Sequence, residues 1–151
     1  MKKFIYPLQN VLNIKSKIET QEKMLFRIAV NTLNAETDKL NTLYARKDGY
    51  EEKIKENISS RLNLLELKSL RDAVKTMDEL IAQQKAEVRK AERQVEIARK
   101  RLEEAIKEKK IHEKMKENAF EEYKKEYERE EQREIDELVS YRYTLNEGRT
   151  S

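Results

Sequence analysis

The chain has no cysteine, a single proline and two glycines in 151 residues. The first absence excludes disulfides and thiolate metal sites and is compatible with a reducing compartment. The scarcity of backbone breakers says more. With 42% of residues charged and 37% hydrophobic, the chain has too little apolar material for a compact multilayer core, so it is either disordered or built from long helices. Disordered segments are usually rich in proline and glycine, whereas uninterrupted helices exclude them. The composition therefore predicts helix. An excess of one charge sign is lacking too: 33 basic and 30 acidic side chains are mixed along the chain, for a net charge of +3. That balance sets up no one-signed field and does not point to nucleic acid. No apolar run is long enough to span a bilayer, and the run at the start breaks off at Gln9, too early for a signal peptide. The expectation is a soluble cytoplasmic protein with no direct membrane insertion, reaching a membrane only through a partner.

What is present is periodicity. From Val74 onward one register holds, with Val74, Ile81, Val88, Val95 and Leu102 at one position and Met77, Gln84, Ala91, Ala98 and Ala105 at its companion. Apolar residues spaced alternately three and four apart, with charge elsewhere, form a coiled-coil seam. Small alanines facing β-branched residues let two helices approach closely. Glu96 with Lys100, Glu103 with Lys107 and Glu121 with Lys125 are four apart in the favourable order, each worth about 0.2–0.5 kcal/mol to the helix. The first half shows a less regular seam through Val11, Ile14, Ile18, Leu25 and Ile28. It resumes after a phase slip at Leu40, Leu43, Tyr50 and Ile54, and ends at Ile58, Leu62 and Leu65. Gly49 reads as a tolerated surface position.

Asn and Ser cluster with loss of register only between Asn57 and Ser69, and these side chains favour turns and caps. The expected fold is all-α, a long antiparallel two-helix coiled-coil hairpin forming a single domain over 1–151. Its first helix spans about 7–57, the turn region about 58–69 and a longer helix about 70–146. Folding near Asn63 sets Leu40 by Ala86, Leu25 by Leu102 and Val11 by Met115. The second helix then outruns the first, and some twenty residues past Phe120 project as about 30 Å of unpaired helix. Most of that projection is charged. Ile135, Leu138, Val139, Tyr141 and Tyr143 are the exceptions, apolar at a helix tip where only a partner, a second copy or a folded-back N-terminus could cover them. Arg142 falls on the same face as 135, 138 and 139 by the i, i+3, i+4, i+7 rule.

No constellation carries catalysis, a cofactor or a metal. His112 is the one histidine, and alone it neither builds a multidentate metal site nor activates a nucleophile. With Lys109 and Lys116 it interrupts the apolar seam, as polar layers that set register do. Asp136 and Glu137 lack the pocket that general acid–base work needs. Tyr123, Tyr127, Tyr141 and Tyr143 could stack on bases, but the surrounding acidic run repels phosphate. Neither GxxxxGK[ST] nor GxGxxG occurs.

Two terminal segments carry a resemblance. The start reads Phe4-x-Tyr6-x-Leu8-Gln9-x-Val11-Leu12-x-Ile14-Lys15-x-x-x-Glu19, and the end reads Gln132-x-x-x-Asp136-Glu137-Leu138 with Arg142 after it. Together with Asp72 to Gln84 after the turn, they resemble the FliJ family of small coiled-coil proteins of the bacterial flagellar export apparatus. The resemblance implies a non-enzymatic stalk, similar to the central hairpin of a rotary ATPase γ subunit. Such a stalk binds the hexameric flagellar export ATPase and promotes its assembly and activity. It also links the ring to the cytoplasmic part of the export gate and contacts export chaperones. Carried over, the ATPase end comprises Phe4, Leu8, Gln9, Ile135, Asp136, Glu137, Leu138, Val139, Tyr141 and Arg142. The gate positions are Ala73, where the family often has a large aromatic, with Met77, Leu80 and Gln84. The alternative is a generic coiled-coil scaffold or dimerisation module.

Overall fold

The computed structural model describes residues 2–60 and 63–150, with side chains as far as residue 148. Two helices account for nearly all of it, α1 at Gln9–Ser60 and α2 at Leu64–Thr150, and no strand occurs among the described residues. The chain is the all-α helical hairpin that its composition predicts. It divides into two compact units, one of Thr20–Glu104 and one of Met1–Glu19 with Ala105–Ser151.

In the unit of residues 20–104 the helices run antiparallel. Lys47 pairs with Asp78 at 2.7 Å and Glu36 with Gln84, so numbers rising along α1 meet numbers falling along α2. The α2 face is the one expected: Val74, Met77, Ile81, Gln84, Val88, Ala91, Val95, Ala98 and Leu102 are all buried or half-buried. Alanine recurs among the buried positions because a side chain of one methyl lets the backbones come close.

The α1 face differs from expectation. Its inward residues are Glu22, Phe26, Ala29, Leu33, Glu36, Leu40, Leu43, Lys47, Tyr50, Ile54 and Asn57, stepping three and four without a phase slip. Leu25 and Ile28, expected in the seam, are 48% and 54% exposed, and Ile58 and Leu65 are exposed as well. Leu62 lies outside the described residues. The reason is chemical. Charged residues occupy three of these seam positions, and a reading that follows apolar residues steps to the neighbouring face to avoid them. Glu36 and Lys47 can sit there because their methylenes pack while their charged ends find Gln84 and Asp78 on the facing helix, whereas Glu22 keeps one carboxylate oxygen buried without a hydrogen-bond partner.

The connection is shorter than the expected turn region of 58–69, because helix continues to Ser60 and resumes at Leu64. Asn63 organises it. Its Oδ1 accepts the N–H groups of Leu65 at 3.1 Å and Glu66 at 3.3 Å, capping donors that the first turn of α2 leaves unpaired. Asn57 is buried, and its Oδ1 accepts the N–H of Asn63 at 3.2 Å.

The other unit holds both chain ends. Lys2 to Tyr6 have no regular secondary structure, Pro7 and Leu8 form a turn, and α1 opens with the N–H of Gln9 donating to the Tyr6 carbonyl at 3.1 Å. Tyr6, Leu12 and Ala105 are buried, while Ile14 is exposed and Val11 and Ile18 are half-buried. Leu12, not Ile14, is the inward residue here. Lys109, His112 and Lys116 are half-buried on the α2 seam and interrupt its apolar character as expected. Ion pairs replace packing there: Lys109 with Glu19 at 3.5 Å and Glu113 at 3.7 Å, and Lys15 with Glu108 at 3.4 Å.

Candidate functional site

In the terminal unit, the non-helical N-terminal segment is held against α2 by aromatic rings. Phe4 meets Phe120 edge-on at 5.2 Å between centroids and Tyr123 at 5.3 Å. The Tyr123 hydroxyl donates to the Lys2 carbonyl at 2.8 Å. Phe120, Tyr123 and Tyr127 recur at i, i+3 and i+7 on one helix face, the spacing that could have revealed this platform in the sequence. A shallow cleft beside it is lined by Phe4, Leu12, Lys116 and Phe120.

Beyond Tyr123 the helix has no cover. Every residue from Lys124 to Gly148 is exposed, a stretch of about 35 Å at 1.5 Å per residue. Local pairs stabilise it: Arg129 with Glu126 at 2.7 Å, and Gln132 Nε2 donating to Asp136 Oδ1 at 3.0 Å. Its apolar residues are open to solvent, with Ile135 at 53%, Leu138 at 62%, Val139 at 61% and Tyr141 at 64% exposure. The N-terminal segment does not fold over them.

The residues expected at one ATPase end therefore occupy two places within this unit. Phe4 is half-buried in the aromatic cluster, Leu8 is exposed, and Gln9 donates to Asn13 Oδ1 at 2.9 Å. Ile135 to Arg142 begin twelve residues beyond Tyr123, about 18 Å along the helix. The gate positions lie in the other unit. Met77 is buried in the seam, and Gln84 donates across it to the backbone carbonyl and carboxylate of Glu36. That carboxyl is held below its ordinary pKa, chiefly by the Gln84 hydrogen bond. Ala73 is half-buried and Leu80 exposed, which leaves Leu80 as the surface residue of the four.

No group of three or more His, Cys, Asp or Glu among the described residues could hold a metal ion. The His112 Nδ1 is buried without a hydrogen-bond partner. No helix is long and apolar enough to cross a membrane among the described residues.

Three comparisons bear on this geometry. The family model described as "Flagellar FliJ protein" matches residues 3–148. No curated protein matches the chain. A solved structure described as a YscO homolog, CT670 from Chlamydia trachomatis, is similar with a TM-score of 0.55 at 22% identity, covering 96% of this chain and 98% of that one. At that identity the likeness concerns the fold.

Proposed function

This chain belongs to the FliJ family, and from that premise we propose that it is a non-enzymatic stalk protein of a flagellar type III export apparatus. On this reading it binds the hexameric export ATPase, promotes its assembly and activity, and links the ring to the cytoplasmic part of the export gate, with export chaperones as further partners. The observation that carries the reading is the uncovered end of α2, where Ile135, Leu138, Val139 and Tyr141 are exposed beside Asp136 and Glu137. Apolar side chains supply affinity by leaving water, while flanking charges supply on-rate and register. On the same reading the protein is cytoplasmic and held at the membrane through the export apparatus. The gate contact centres on Leu80, because Met77 and Gln84 are engaged within the hairpin.

The test is the double substitution Ile135→Ser with Leu138→Ser, assayed for stimulation of the purified export ATPase and for thermal melting. Stimulation should be lost and the melting temperature retained. Undiminished stimulation would remove this surface from the interface, and a sharp fall in melting would assign it to the fold instead. In the second arm, Leu80→Asp should weaken binding to the purified cytoplasmic part of the gate while leaving ATPase stimulation intact.

A further inference from the structure

Helix α1 begins at Gln9, and in its place the residues before it continue along α2: Phe4 meets Phe120 and Tyr123, and the Tyr123 hydroxyl donates to the Lys2 carbonyl. The root of this segment is fixed. Tyr6 is buried, and its carbonyl accepts the Gln9 N–H that opens α1. Ahead of Tyr6 the hold is slight. Among Lys2, Lys3, Phe4 and Ile5, Phe4 alone is not exposed, and the Lys2 carbonyl is the one backbone group of the four with a hydrogen bond among the described residues. The side of α2 that they cover is one end of a longer face. Steps of three and four from Tyr123 reach Tyr127, Glu131, Glu134, Leu138, Tyr141 and Leu145. The aromatic platform therefore shares its face with Leu138 and Tyr141 of the uncovered end. Phe120 and Tyr127 stay partly exposed beside the segment, and Leu138, Tyr141 and Leu145 are exposed.

We infer that Lys2 to Ile5 form a displaceable strap, which covers the near end of the α2 face that the export ATPase binds and is lifted off when the ATPase takes up the whole of that face. The inference rests on the ATPase docking at the end of α2. A partner laid along the helix gains by burying Phe120, Tyr123 and Tyr127 in addition to Leu138 and Tyr141, because apolar area leaving water drives association. The strap stands in the way of that gain. Its release gives up one ring contact site and one hydrogen bond, and the freed Tyr123 hydroxyl is satisfied by water or by the partner. Tyr6 stays rooted, so the strap swings ahead of it and α1 keeps its opening hydrogen bond. A segment that closes over a binding face divides the affinity of the bare face by the fraction of chains in which that face is open. The N-terminal segment thus restrains docking in the free chain, with Phe4 as the anchor that sets how strongly.

Titration of the full chain against the purified export ATPase tests the inference. Phe4→Ala removes the anchor and should tighten binding by about threefold to tenfold, the range for a strap closed in roughly 70–90% of chains. The chain contains no cysteine, so spin labels introduced at Ile5→Cys and Glu122→Cys, both exposed positions, follow the strap in a chain that keeps Phe4. Their separation should be short and narrowly distributed in the free chain, and should lengthen and broaden when the ATPase is added. A distribution unchanged by the ATPase would overturn the inference. So would Phe4→Ala binding no more tightly than wild type, and weaker binding would place Phe4 within the contact itself. The double variant Ile135→Ser with Leu138→Ser keeps the two ideas apart. If it binds the ATPase as wild type does, the docking surface lies elsewhere; if it loses binding while Phe4→Ala brings no gain, only the strap is refuted.

Discussion

Gln84 reaches across the hairpin to hold Glu36 twice, its Nε2 donating to the backbone carbonyl at 2.9 Å and also to the carboxylate. A glutamine at a seam position thereby satisfies a glutamate at the facing one. The Glu36 carboxyl is held below its ordinary pKa, by the Gln84 hydrogen bond first and by nearby Lys39 as well. A depressed carboxyl pKa stabilises the fold above the unfolded-state value, and the contribution is lost as pH falls through the folded-state pKa. Gln84→Ala should therefore melt at a lower temperature than wild type at neutral pH. The difference should shrink in acid, which melts recorded from pH 7 down to pH 3 will check.

Lys47 carries the opposite sign. Its hydrogen bond to Asp78 raises the ammonium pKa above its ordinary value, so its contribution is present below that value and fades as pH rises through the raised one. Asp78→Asn should narrow its stability gap from wild type in strong base, whereas Gln84→Ala narrows its gap in acid.

The α1 register makes a sharp mutational contrast. Phe26 faces the seam and Leu25, one residue earlier, faces solvent. Phe26→Ala should cost about 2–3 kcal/mol, below the usual range for buried phenylalanine because a two-helix seam encloses it only partly. Leu25→Ala in dilute solution should stay within about 0.5 kcal/mol. Equal losses in chemical denaturation would contradict this register.

At the turn, Asn63 caps α2 through two backbone donors. Removing the cap with Asn63→Ala should destabilise the hairpin by about 1 kcal/mol, and Asn63→Asp should retain most of it. Denaturant midpoints for the two variants will separate the capping contact from general intolerance at the position.

Gly49 lies inside α1 with open space where a Cβ would stand, and its φ is not positive. Gly49→Ala should accordingly stabilise the protein by about 0.8–1 kcal/mol, the penalty glycine carries within a helix. Unchanged or reduced stability would indicate that this position needs glycine's freedom.

The helical class, the hairpin and the α2 seam were legible in the sequence because they rest on local quantities: few breakers, mixed charge and a three-four spacing of apolar residues. Val74, Ile81, Ala91 and Ala98 needed no tertiary information to be placed. The exposed apolar end at Ile135 and Leu138 was legible for the same reason, since a helix that outlasts its partner has nothing to pack on. Tertiary structure decided the register of α1. There Glu22, Glu36 and Lys47 take seam positions while Leu25 and Ile28 stay outside, and hydropathy assigns those five the other way round. A long charged side chain can fill a seam if its end finds water or a partner on the facing helix, and whether it does depends on residues some fifty positions away. The meeting of Phe4 with Phe120 and Tyr123 was hidden likewise: a segment outside the helices has no helical period, and only the fold brings it beside α2.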